Sequence, residues 1–179
     1  YHKENGMSAV DNTPKNKNFL SPLNFRFQIK KAPHVNFFVQ SVNIPAISLP
    51  HVDTPNPFVR IPQPGDHITF DPLKISFKVD EDLQNYLEIH KWLLGLGFPE
   101  SYNQYKELSD VPKITGEGLL SDISVLVLSS TKIANYEVTF VDAHPVSLTE
   151  LQFNSTDSSV NYISSSATFK YTHYKIQNM

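Results

Sequence analysis

Between Asp66 and Gly97 the hydrophobic period changes once, and no other stretch limits the fold as tightly. Leu73, Ile75, Phe77 and Val79 alternate with Lys74, Ser76 and Lys78, the mark of a strand with one buried face. From Asp80 the spacing is helical: Leu83, Tyr86, Leu87, His90 and Leu94 share a side, widened by Ile89 and Trp92. Asp80, Glu81 and Asp82 stand where capping and the helix dipole both favour acids. Lys91 lies near the other end, where Gly95 or Gly97 can supply a left-handed stop. A strand running into a flanking helix over 80–96 is predicted, with Leu83, Tyr86, Leu87 and Trp92 as its packing residues.

The rest of the chain reads as strand or loop. Leu23, Phe25, Phe27 and Ile29 alternate with polar neighbours, and after a turn at Pro33 a second strand is expected over 35–44. A hairpin of these two is the simplest pairing. Ile123, Val125 and Val127, then Tyr136, Val138 and Phe140, predict another hairpin over 121–142, turning at 130–133 and ended by Pro145. Residues 147–153 suit a short strand, and 165–176 a last long one carrying Ala167, Phe169 and Tyr171 on one face. The connection over 98–120 is polar, with a turn of helix near Tyr102 to Leu108. Residues 1–20 are expected to be a flexible N-terminal arm before a single β domain over 21–179; YHKENG before Met7 reads as a vector or upstream remnant.

Residues 45–66 break this pattern. Prolines at 45, 50, 55, 57, 62 and 64 forbid a central strand, because each fixes φ and removes a ladder donor. The segment is nonetheless apolar: Ile47, Leu49, Val52, Phe58, Val59 and Ile61 need burial somewhere. An arm lying on another subunit accounts for them better than a disordered loop. The bland alternative is an internal flap over a sheet edge.

Enzyme chemistry finds little support. No phosphate-cradling glycine loop is present, since Gly95-Leu96-Gly97 belongs to a helix end. The histidines have no metal-ligand spacing, and His90 reads as a satisfied core residue. The serine runs lack a nucleophile elbow, and Asn154-Ser155-Thr156 reads as loop chemistry more than as a glycosylation site. Zero cysteines remove disulfides and thiolate metal sites, and a net charge of −3 gives no basis for a tight grip on nucleic acid. No apolar run approaches a membrane span, and no stretch reads as a signal peptide. No catalytic residue, metal or cofactor is expected.

The block FDPLKISFKVDEDLQNYLEIHKW, from Phe70 to Trp92, resembles the tail tube family of contractile-tailed bacteriophages, including baseplate members that initiate the tube. The resemblance rests on an ordered set. Asn43-Ile44-Pro45 opens the long loop, a "DPLxISFxxD" strand follows, and then a helix with Asn85, Tyr86 and Trp92. The apolar strand at 121–129, the turn at His144-Pro145-Val146-Ser147 and an aromatic-rich last strand complete it, from Leu20 to Ile176.

The resemblance implies a mainly β fold: an antiparallel β-sandwich or half-barrel with one flanking α-helix and the proline-rich arm, forming rings. Six subunits would join around a channel for DNA, contact other tail, sheath or baseplate proteins, and reside in the virion without membrane insertion. Ser76, Thr168 and Thr172 become candidate lumen-facing residues on a bore expected to be neutral or negative, although Lys74, Lys78 and Lys170 share those faces. A single-ring baseplate or neck component that initiates or caps the tube is the alternative within the family. A monomeric β-sandwich that holds a protein partner is the alternative outside it.

Overall fold

The computed structural model describes residues 18–97, 99–110, 118–156 and 162–179. Eleven strands and three helices follow in order: β1 Phe25–Ile29, α1 Pro33–Phe38, β2 Val39–Val42, β3 Ile47–Ser48, β4 His51–Thr54, β5 Ile61–Pro64, β6 Thr69–Phe70, β7 Leu73–Lys78, α2 Gln84–Gly97, α3 Tyr102–Ser109, β8 Ser121–Leu128, β9 Ala134–Leu148, β10 Ser164–Lys170 and β11 His173–Asn178. Every pairing among the described residues is antiparallel, so the mainly β, antiparallel expectation is borne out.

One seven-stranded sheet, in the order β1-β8-β9-β10-β7-β2 with β11 also on β9, forms the body. β9 joins its two halves. Its first part pairs β8 and β11, its last part β10. At 15 residues it holds about 50 Å of extended chain, enough to serve both halves. The change comes at a bulge: Ile123 faces Phe140 and Ser121 faces Ala143, so β9 has one residue more than β8. Asp142 takes the left-handed backbone there at φ 56, a conformation Asp tolerates, and its N–H donates to Asp122 Oδ1. The extra residue keeps Phe140 and Ala143 both inward, whereas strict alternation would have turned one of them out.

The core fills the space between the halves and α2. Phe27, Ile29, Ile123, Val125, Val138 and Phe140 meet Leu73, Ile75, Phe77, Ala167 and Phe169, with Ile89 and Trp92 from the helix. Each large apolar side chain buried there contributes roughly 1.5–3 kcal/mol. β7 carries the predicted alternation: Leu73, Ile75 and Phe77 are buried, and Lys74 is exposed.

Four expectations change. The first two strands do not form a hairpin: β1 pairs β8 and β2 pairs β7. Residues 33–38 are helical, with Pro33 in the first turn, where a missing N–H costs nothing. That turn carries the chain between the halves, and the Asn36 amide bonds both N–H and C=O of Ile29 in place of a strand. Second, Pro145 does not end its strand. It lies beyond Ala143, the last residue of β9 with a β8 partner, so one flank there needs no donor. β9 ends at Leu148, and 149–153 are irregular. Third, the last strand is broken at Tyr171 and Thr172 into β10 and β11, both lying along β9.

The fourth change concerns the helix. It begins at Gln84, after a turn in which the Leu83 N–H donates to the Asp80 carbonyl and Leu83 has φ 58. The three acids therefore precede the helix instead of capping it. Its fully buried side is Asn85, Ile89, Trp92 and Gly95, one residue round from the predicted stripe. Tyr86 packs at the margin of the core, Leu83 and Leu87 are half-buried, and His90 is half-buried with its ring stacked on Tyr86. Asn85 decides the rotation. Its amide donates to the Lys78 carbonyl and accepts from the Tyr86 and Asp80 N–H groups, fastening the end of β7 to the start of α2. The Trp92 Nε1–H donates to the Leu119 carbonyl, so the polar groups of Asn85 and Trp92 on the buried side of α2 are both bonded.

Two further helices flank the body besides the one foreseen, and α3 lies where a helical turn was expected. The predicted 121–142 hairpin is present: the Ser129 N–H donates to the Ile133 carbonyl, with Lys132 at φ 60. The expected N-terminal arm falls outside the described residues except for 18–20, which are exposed.

Candidate functional site: a projecting arm and a hydroxyl-bearing sheet face

Prolines and the register make residues 47–70 a two-part ribbon. β3 pairs β6 at the base, and β4 pairs β5 further out. Residues 55–60 form the tip, where the Asn56 side chain accepts from the Phe58 N–H. All of β3, β4 and β5 is exposed. Phe58 at the tip is 95% exposed, Val52 62%, and Ile47, Leu49, Val59 and Ile61 are also open. Six apolar side chains on one excursion thus stand outside the core, and the flap alternative finds no burial to support it. The His51 imidazole and Asp53 carboxylate lie 3.8 Å apart on one face of the ribbon.

The base of the ribbon is fastened at both feet. The Tyr174 hydroxyl donates to the Pro45 carbonyl and the Tyr171 hydroxyl to the Asp71 carbonyl. Phe70 packs its ring against both tyrosines, and Phe140 closes the cluster from the core. Burial, with Tyr174 and Asp71 nearby, pushes the Tyr171 hydroxyl up to about 12. The Asn43 side chain accepts from the Lys74 N–H, and the Asp71 N–H donates to the Ala46 carbonyl. The break between β10 and β11 thus places two tyrosines where the arm leaves the body.

The outward face of the β2-β7-β10-β9 half is rich in hydroxyls. Ser41, Ser76 and Ser166 stand in one row across the strands, and Ser76 and Ser166 share a hydrogen bond of 3.0 Å. The next row is Lys74, Thr168 and Ser147. Ser76 and Thr168 therefore lie on one face, while Thr172 sits apart in the break, its N–H donating to the Val141 carbonyl. Lys74, Lys78 and Lys170 accompany the hydroxyls, with the Lys78 ammonium 4.4 Å over the Tyr162 ring. β2, β7 and β10 carry no carboxylate.

Other polar clusters are occupied by structural duties. A cleft of about 410 Å³ between α2 and α3 is lined by Lys31, Glu88, Trp92 and Glu107. Lys31 there donates to the Gly118 carbonyl and lies over the Trp92 ring. His34 is held above its ordinary pKa by its hydrogen bond and charge pairing with Glu88. The Asn154 side chain accepts from the Thr156 N–H and hydroxyl, a local turn. Among the described residues no group of three or more His, Asp or Glu could hold a metal, and no helix is long and apolar enough to cross a membrane.

These features define an antiparallel β domain built around one core, with a fastened and unburied apolar arm. The profile described as phage tail tube protein matches residues 9–177, and the chain belongs to that family. It is a structural component of the phage tail and so of the virion. The resemblance read from Phe70 to Trp92 is borne out. The tail tube terminator protein of Enterobacteria phage T4 is 29% identical over 141 residues, which cover 77% of this chain and 76% of that protein. The tube-terminating cap of the anti-feeding prophage shares the fold at a TM-score of 0.59 and 13% identity, covering 97% of this chain and all of that one. A chain of the same particle's baseplate also reaches 0.59, at 11% identity over 86% of this chain and 90% of that one.

The prolines and apolar residues of 45–66 mark this excursion in the sequence, whereas nothing local marks Tyr171 and Tyr174 as the residues that fasten it. Their signal was visible only as the aromatic-rich end of the last strand.

Proposed function

We propose that the chain is a non-enzymatic, ring-forming subunit, with a hexamer as the expected ring, that ends the tail tube and surrounds the channel through which DNA passes. The observation that carries this reading is the arm. Six apolar side chains project from a body whose core is complete without them, and their burial requires another chain. Open sheet edges point the same way, because joining copies edge to edge removes a liability that a monomer must otherwise manage. The terminator is favoured over the repeating tube subunit by the 29% relative, since the cap and baseplate likenesses do not separate the two readings. The arm residues Ile47, Leu49, Val52, Phe58, Val59 and Ile61 make the contact between copies. Ser76 and Thr168, with Thr172 nearby, face the channel. That wall then bears Lys74, Lys78 and Lys170, so a neutral or negative bore would need carboxylates from other strands to offset them. Tail, sheath or baseplate proteins are the further partners.

Sedimentation of the full chain tests the reading. A species near six times the 20.3 kDa chain mass, seen as rings by electron microscopy, is the expected result. A monomer at every concentration, even with isolated tube ends present, contradicts it and leaves the binding-module alternative.

A further inference from the structure

The arm has two long edges, and its prolines close only one of them. Hydrogen bonding in an antiparallel ribbon alternates, so each residue turns its N–H and C=O either toward its partner strand or away. The Gly65 N–H donates to the Pro50 carbonyl at 2.7 Å, which sets the phase. With His51 opposite Pro64, Val52 opposite Gln63, Asp53 opposite Pro62 and Thr54 opposite Ile61, the inward pairs are Val52/Gln63 and Thr54/Ile61. Pro62 and Pro64 therefore face outward on β5, where they offer carbonyls and no donors. His51 and Asp53 face outward on β4, where each offers both a donor and an acceptor. Among the described residues neither donates a backbone bond outside the ribbon.

We infer that the arm joins a second copy of this chain by strand pairing along the β4 edge, through the backbone of His51 and Asp53, while Pro62 and Pro64 keep the β5 edge from pairing. This rests on the ring reading above and adds a direction to it. An arm open on both edges could be extended from either side, and copies would add without closing. An arm open on one edge accepts one neighbour in one orientation, which a closed ring requires. The second copy is the occupant because the apolar residues flanking this edge, Leu49 and Val52, are exposed in the single chain and a ring supplies an identical neighbour to cover them. Main-chain pairing supplies the affinity, and these side chains supply the selectivity.

Hydrogen exchange on the full chain, as monomer and as assembled ring, reads the edge directly. Val52 and Thr54 amides should be slowed in both states, whereas His51 and Asp53 amides should exchange freely in the monomer and slow at least tenfold in the ring. Equal exchange of His51 and Asp53 in the two states overturns the inference. Asp53→Pro removes one outward donor without touching the inner ladder, and it should weaken ring formation at least tenfold with the circular dichroism of the body unchanged. Rings from this variant at wild-type concentrations also overturn it. Pro62→Thr with Pro64→Thr should add open, high-mass species that grow with concentration. Their absence argues against the proline block. If the wild-type chain forms no ring at all, the proposed function fails first, and the monomer protection pattern still shows which edge is open.

Discussion

The Tyr171 hydroxyl donates to the Asp71 carbonyl across 2.7 Å, joining residues a hundred positions apart at the foot of the arm. Tyr174 does the same for Pro45 at 3.3 Å, so one foot is held by a hydroxyl from the break between β10 and β11 and the other by a hydroxyl from the start of β11. The arm's direction is therefore set by the strand end it leaves from.

Tyr171→Phe should lower stability by about 0.5–1.5 kcal/mol, the usual net worth of such a bond. It should also speed exchange of the Asp71 amide. The pH dependence has a fixed sign. Tyr171 ionises near 12 in the folded chain against 10 unfolded, so between those values the unfolded state has lost the proton that the folded state keeps. Stability falls as pH rises through that window, and the fall should be smaller in Tyr171→Phe. Denaturant titrations at several alkaline pH values measure it; identical slopes for both proteins would remove Tyr171 from the account.

Asn85 should be costlier to lose than its exposed relatives. Asn85→Ala strands the Lys78 carbonyl and two N–H groups at a buried site, each such group costing about 1–3 kcal/mol. Ile89→Ala should cost ~2–5 kcal/mol as a core truncation. Leu87→Ala should cost less than either, because Leu87 is only half-buried. Thermal melts rank the three. Leu87 as the most damaging site would mean that the helix presents a different face from the one described.

The pattern of what sequence could tell follows from range. Alternation along β7 and the 121–142 hairpin were legible because local period and turn chemistry decide them. The rotation of α2 was not, because counting apolar residues gives Asn85 no inward preference, while its three hydrogen bonds do. Pro145 was misleading for a related reason: whether a strand tolerates a proline depends on which neighbour is missing, and that is a fact of tertiary pairing. In the arm, the prolines announced an extended excursion, but which edge each one blocks depends on the β4–β5 register.

Whether the hydroxyl-bearing sheet face lines a channel, as proposed, can be read by labelling, since the sequence contains no cysteine. Ser76→Cys and Thr168→Cys should react with a small maleimide in monomer and ring alike. A maleimide on a polymer wider than the bore should label only the monomer. Equal labelling of the ring by the large reagent would put this face outside and return the bore to the other half of the sheet.

The central claim is that the arm's apolar side chains hold copies together and do not serve the fold of their own chain. Sedimentation velocity of the variant with Ile47, Leu49 and Phe58 all changed to Ser tests it most directly, with circular dichroism on the same samples. The expected result is a monomer with wild-type secondary structure and an unchanged melting transition. A variant that unfolds, or one that still forms rings at wild-type concentration, contradicts the claim.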